Sequence, residues 1–508
     1  MRWSQRARGV ALLALGLGAV GLYLLWAGTQ GGLGFPLDDA WIHQTYARNL
    51  ALTGRWTYTG GQVSAGSTSP LWTFLLVPGH LLGVDPRAWA YALGTTLLLG
   101  SGWLVWRMGR ALGLPEGAAW SLGALAVTEW HMVWAALSGM ETSLFAFLSL
   151  VLFWGFLRAA EAPCWRARQA GLLGLLAGLL VLTRPDGLLL ALWLAPGGAL
   201  HLARRERAPR LLALAAAALA GALIPLVPYL LVNLWASGTP WPNTFYAKQV
   251  EYREVAQALP LGTRLLRLAA TPWVGAQALL LPGLAALVWP GWRGPAEAGH
   301  RVRRALAPLA GWALTAIAVY AVRLPVTYQH GRYLMPVIPA LLVLGGIGCW
   351  RWARPRAERM LQRVLSRAWL LGYGVAALAF LVLGARAYHW DTRFIETELV
   401  ATARWLETHT PEDALIAAHD IGAIGYFGRR DLLDLAGLVS PEVIPLLRDE
   451  DALLQYILAR GAGYLATFPS WYPRMVQDPR LQPVFQTGAP WAPRLGGENM
   501  VVYRIGGG

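Results

Sequence analysis

The sequence predicts a polytopic α-helical membrane protein that carries a C-terminal α/β domain. Three observations predict it. Of 508 residues, 56% are hydrophobic and 14% charged, where a soluble domain carries roughly 25% charged residues, and mean hydropathy is +0.41. The apolar residues gather into long continuous runs, which read as spanning helices rather than barrel strands. From about residue 388 charges and turn residues return. The net charge of +15 does not imply a nucleic-acid partner, because the arginines lie in short loops between apolar runs and act as topology signals. With Cys164 and Cys349 the only cysteines, a disulfide framework and a Cys-based metal site are excluded.

Arg2, Arg6 and Arg8 precede an apolar run from Val10 to Trp26. No small-residue cleavage site follows it, so it reads as a retained first span with a cytoplasmic N-terminus. Gly16, Gly18 and Gly21 imitate a dinucleotide fingerprint, but no strand precedes them, and inside an apolar run they suit close helix packing. Residues 31–86 form a long outer loop. Its apolar stretch 71–84 is short and lies along the membrane surface, because only then do all the arginine clusters fall on one side. Further spans are expected over 88–107, 117–137, 142–158, 169–184, 187–203, 210–235, 270–291, 304–323, 333–350 and 368–387, which makes about 11 spans. The loops carrying Arg107 and Arg110, Arg158 to Arg168, Arg204 to Arg210, Arg293 to Arg304 and Arg351 to Arg367 then all face the cytoplasm.

The chain thus divides into a membrane domain, residues 1–387, and an outward α/β domain, residues 388–508. In the second, helices are expected over Glu398–His409 and Asp451–Arg460. Strands are expected over Ala414–Ala418, Leu432–Leu435, Tyr464–Phe468 and Val501–Ile505.

The outer face holds the candidate site. Asp38 and Asp39 stand side by side after the first span, and carboxylates at a membrane surface are costly and usually kept for chemistry. Capping the helix that starts near Ala40 accounts for one of them, not both. A carboxylate within reach of a hydroxyl acts as general base. Cations beside it stabilise an anionic leaving group such as a phosphate, and Lys248 (the only lysine), Arg332 and Arg184 fit that role. Trp41, Tyr46, Trp241 and Tyr246 offer faces for a sugar or a lipid headgroup. His43, Ser67, Thr68, Glu141, Asn243, His330 and Tyr333 complete the candidate substrate contacts from the same outward loops. Plainer readings stand beside these. Arg184 and Asp186 pair at a helix end, Glu141 caps a helix start, and Lys248 anchors at the interface. His43 and His330 are structural, since no His pair has metal-ligand spacing, and His419-Asp420 is a strand-end turn.

Asp38-Asp39 followed by Tyr46-Ala47-Arg48-Asn49-Leu50 resembles the first-loop acidic motif of GT-C glycosyltransferases. These multi-spanning enzymes include protein O-mannosyltransferases and the aminoarabinose transferases that modify lipid A. Ser67-Thr68-Ser69-Pro70-Leu71-Trp72, Gly139-Met140-Glu141-Thr142, Arg184-Pro185-Asp186-Gly187 and Gly331-Arg332-Tyr333-Leu334-Met335-Pro336 make the chain most similar to bacterial arabinofuranosyltransferase-like members. The resemblance runs from Leu37 to about Pro339. It implies a plasma-membrane enzyme that takes a sugar from a polyprenyl-phosphate donor and passes it, with inversion, to a hydroxyl of a glycan, lipid or protein. It also implies that Asp38 is the base, with Asp39 its partner. Some members use a divalent cation and others do not. The competing reading is a transporter or flippase for a lipid-linked glycan, which would favour ionisable groups inside paired broken helices.

Overall fold

The computed structural model describes residues 4–29, 32–59, 61, 63–162, 164–203, 207–288, 296–350, 353 and 358–506. Arg2, Arg204, Arg205, Arg293, Arg351, Arg354 and Arg356, named above as topology signals, lie outside the described residues. Among the described residues seven helices are long and apolar enough to cross a membrane: Gln5–Thr29, Pro86–Ala111, Thr142–Glu161, Ala208–Ser237, Ala305–Arg323, Tyr328–Trp350 and Met360–His409. Against the expected 11 spans, the described residues hold seven such helices, or eight with one bent pair counted, beside shorter apolar helices; breaks and short helices are invisible to a hydropathy window.

The expected span 270–291 is that bent pair, Leu261–Trp273 and Ala276–Leu287, at 100°. Pro272 lacks the amide that would continue the ladder. The expected span 117–137 is broken at Glu129, whose extended backbone separates Glu116–Thr128 from Trp130–Leu137. The Glu129 carboxylate caps the second piece by accepting the Met132 N–H at 2.9 Å. Ala167–Thr183 and Gly187–Ala199 are apolar but short. Ala167–Thr183 packs closely on Ala208–Ser237, where a methyl group at Gly174 would collide with the Ala218 carbonyl. Of Gly16, Gly18 and Gly21, only Gly16 meets neighbours, at Leu99 and Val127.

Two features of the membrane part position the site. The helix Asp39–Thr53 follows directly on the acidic pair and packs beside Pro70–Leu81. At 12 residues, Pro70–Leu81 is about 18 Å long, short of the roughly 30 Å of a bilayer core. The helix Ile338–Trp350 is apolar all round and almost wholly buried, as a central bundle helix must be. Its entrance is a turn in which Gln329, His330 and Gly331 have φ of 54°, 57° and 69°. Such left-handed backbone costs a non-glycine residue roughly 1–2 kcal/mol. The His330 imidazole is held there by the Asp391 carboxylate at 2.7 Å. The turn delivers Arg332 and Tyr333 to the end of the bundle that carries the acidic loop.

The last long helix runs over Met360–His409, with a π-helical segment at Ile395–Val400, so the expected boundary at 387–388 falls inside it. Five strands follow: β1 (Leu415–Ala418), β2 (Asp431–Asp434), β3 (Tyr464–Thr467), β4 (Leu481–Gln486) and β5 (Val501–Ile505). Their order is β2-β1-β3-β5-β4, with β2, β1 and β3 parallel and β5 and β4 antiparallel. Side chains alternate between the faces. Ile416, Ala418, Ala466 and Val502 belong to a cluster that takes in Leu399, Ala403, Leu406 and Ile424 and continues into the membrane part. Ala417, Leu465, Val501 and Tyr503 pack with Leu453 and Ile457 of the helix Glu450–Ala459. The strand β4 and the short helix Gly422–Phe427 were not expected; Pro483 in β4 sits at a register shift on the sheet edge, where proline is tolerated.

Candidate active site

A cavity of about 990 Å³ opens between the acidic loop, the helix Asn243–Glu251, the turn before Arg332 and the tail. Asp38, Asp39, Lys248 and Arg332 all line it, although they come from opposite ends of the membrane part.

The two aspartates have different partners. The Asp39 carboxylate accepts from Arg332 Nη2 at 2.6 Å and lies 3.8 Å from Lys248 Nζ. Burial would raise its carboxyl, but the charges of Arg332 and Lys248 outweigh that and hold it well below the usual range. Tyr333 ties the cations together: its hydroxyl accepts from Lys248 at 2.9 Å and from Arg332 at 3.2 Å. The Arg332 side chain is 6% exposed, and its Nε and Nη1 have no partner among the described residues. Two buried guanidinium donors are therefore left for an anion.

Asp38 does not cap its own helix. It caps the tail instead. Its Oδ2 accepts the Gly422 N–H and its Oδ1 the Ala423 N–H, both at 2.7 Å. Position 422 must be glycine, since any β-carbon there would strike the Asp38 carbonyl. Burial raises the Asp38 carboxyl, the Ala423 N–H opposes this, and the neighbouring Asp39 charge adds to it; the result is about 7. Two carboxylates driven in opposite directions are the arrangement that divides a base from a fixed charge. Further bonds seat the tail on the first loop: Arg48 Nη1 donates to the Tyr426 carbonyl at 2.6 Å, and the Tyr58 hydroxyl to the Ile421 carbonyl at 2.5 Å.

Several expected contacts lie elsewhere. Arg184 is taken out of the cavity by Asp186 at 3.1 Å, by the Tyr320 hydroxyl at 2.5 Å and by Glu141 at 3.8 Å. It reaches the site only through the Tyr333 ring, 5.4 Å away. Glu141 is buried in that cluster beside His43, whose Nδ1 meets the Thr73 hydroxyl at 3.1 Å. Trp41 is packed between Phe35, Tyr426 and Phe427 and presents no free face. The Tyr46 hydroxyl is bonded to Ser64 at 2.6 Å, and Ser67 to Thr73 at 3.1 Å. Asn243 joins the helix it starts to the tail, donating to the Leu438 carbonyl at 3.2 Å. His330 holds the strained turn. Thr68 and Tyr246 are half-buried and outside the cavity wall. Conversely, Asp420, Tyr252, Tyr328 and Trp471 line the cavity and were not proposed from sequence.

A divalent cation fits this donor set poorly. Both Asp38 oxygens accept amides, Asp39 is already neutralised by two cations, and no group of three or more metal-ligating side chains exists among the described residues.

The fold is similar to that of solved membrane glycosyltransferases. ArnT from Cupriavidus metallidurans, solved in complex with undecaprenyl phosphate, superimposes with a TM-score of 0.60 at 16% identity over 97% of both chains. The oligosaccharyltransferase of Archaeoglobus fulgidus in its apo form gives 0.61 at 14% identity, covering 92% of this chain and 70% of that one. The arabinofuranosyltransferase AftD from Mycobacteria gives 0.54 at 16% identity, covering all of this chain and 40% of that one. Residues 383–503 match a domain family of unknown function, DUF8728. No curated protein matches the sequence significantly.

Proposed function

We propose that this protein is an integral membrane glycosyltransferase. It moves a sugar from a polyprenyl-phosphate donor to a hydroxyl of a cell-envelope glycan, lipid or protein, with inversion, at the outer face of the bacterial plasma membrane. The observation that carries the reading is the split acidic pair, with Asp38 near neutrality facing the same cavity as the Asp39–Arg332–Lys248 cluster. The acceptor oxygen attacks the anomeric carbon and gives its proton to Asp38. The bond from that carbon to the phosphate oxygen breaks, and polyprenyl phosphate leaves with the electron pair. Arg332 and Lys248 receive the charge it develops. We take residues 1–387 as the membrane domain and residues 388–508 as the outward domain, the boundary lying within the last long helix. That ArnT was solved with undecaprenyl phosphate supports a donor of this kind.

The test is binding and turnover by the full chain in detergent. Undecaprenyl phosphate is expected to bind wild type and to compete with a synthetic polyprenyl-phosphate sugar; absence of both binding and transfer would remove the reading. Orientation is tested separately. An impermeant thiol reagent outside intact cells is expected to label a cysteine at the exposed position Arg55 and to miss the native, exposed Cys164. Labelling of Cys164 would invert the topology.

A further inference from the structure

The tail sheet has a feature that donor chemistry does not use. Its strand order places β2 and β3 on opposite sides of β1, so the chain changes direction at β1. In open α/β sheets ligands bind outside the carboxyl ends of the strands at such a point. The residues leaving those ends are His419-Asp420 after β1 and Phe468 to Tyr472 after β3, and Asp420, Ser470 and Trp471 among them line the cavity that holds Asp38 and Asp39.

Asp420 differs from the other two aspartates. Asp38 is bonded to amides and Asp39 to cations. No hydrogen bond or cation offsets the burial of Asp420, and its charged neighbours Asp38, Asp39 and Glu251 repel it, so its carboxyl is pushed well above the usual range. Asp420 is half-buried and lines the cavity. Beside it the Trp471 ring is 44% exposed, yet it is fixed by Phe468 at 5.2 Å and by the edge of His419 at 4.8 Å. His419 is itself held by the Tyr472 hydroxyl at 2.8 Å. A large aromatic face that is braced and left bare on a cavity wall suits a ligand with both an apolar face and polar rims.

We propose that Asp420 and Trp471 form the acceptor subsite and that its occupant is a sugar ring, stacked on Trp471 and hydrogen-bonded through a hydroxyl to Asp420. The proposal rests on the transferase reading and narrows its acceptor to a carbohydrate. A peptide hydroxyl offers no ring to cover Trp471, and a lipid chain offers no donor to Asp420.

Saturation-transfer NMR on the full chain in detergent tests this, with methyl glycosides of pentoses and hexoses as probes and a threonine-containing tetrapeptide alongside. At least one glycoside is expected to receive saturation. Trp471→Ala is expected to remove that signal and Asp420→Asn to weaken binding at least fivefold, while both variants bind undecaprenyl phosphate as wild type does. The last measurement also reports that the variants are folded. No glycoside signal, a signal from the peptide alone, or a glycoside signal unchanged in both variants would overturn the proposal. Loss of undecaprenyl phosphate binding by wild type would instead count against the transferase reading itself.

Discussion

Asp38→Asn is expected to insert and fold and to lose sugar transfer by roughly 10²–10⁴-fold, the usual contribution of a positioned base. The amide keeps the shape and one accepting oxygen, but its NH2 then faces the second tail N–H, donor against donor, so tail seating is weakened and the loss beyond that falls on proton transfer. The pH profile carries the same expectation. Burial and the Asp39 charge place the Asp38 carboxyl at about 7. A base works only when ionised, so wild-type kcat/KM is expected to fall as pH drops through about 7. Asp39→Asn removes a repelling charge, lowers the Asp38 pKa and is expected to move that limb to lower pH, whatever it does to the maximum rate. Near-normal transfer by a folded Asp38→Asn protein would reject Asp38 as the base.

Arg332→Ala is expected to weaken donor use by roughly ten- to a hundredfold, because a hydrogen bond to a charged group is worth about 1.5–3 kcal/mol. Two of its buried nitrogens have no partner among the described residues; the third bonds Asp39, so the variant also loses that ion pair, and its folding is measured alongside. Arg332→Lys is expected to recover only part of the effect, since lysine keeps the charge and loses the planar fork. KM for a polyprenyl-phosphate sugar and competition by undecaprenyl phosphate measure it. Unchanged values for both variants would leave Arg332 as no more than the counter-ion of Asp39.

Much of this was legible in the sequence. Long apolar runs announced the bundle, and the last strand was read at its observed bounds, Val501–Ile505. What failed had physical causes. A window over residues 117–137 averages away one carboxylate, yet Glu129 breaks the helix because it caps the next piece. The strand β4 contains a proline, and the helix Gly422–Phe427 has only six residues. In the site, Asp38, Asp39, Lys248 and Arg332 were identified by residue type, but their convergence is a property of the fold. Trp41 and Trp471 show the converse. A tryptophan in a loop reads alike whether it is packed among Phe35, Tyr426 and Phe427 or bare on a wall. Asp420 was read as a turn because strand order, which puts it at a change of direction, is written nowhere in its neighbourhood.

The apolar cluster that holds Ile416, Ala418, Ala466 and Val502 runs on into the membrane part, and Asp38, Arg48 and Tyr58 bond the first loop to residues 421–426 of the tail, which couples the two halves. Cutting the chain near residue 390 would leave the first loop without its cover on one fragment and the Gly422 and Ala423 amides without Asp38 on the other. Heat or denaturant should therefore release the tail and disorder the acidic loop in a single transition, with Asp38 losing its amide partners as the tail leaves. Whatever loosens the tail takes from Asp38 the two amides that hold it, in the same event.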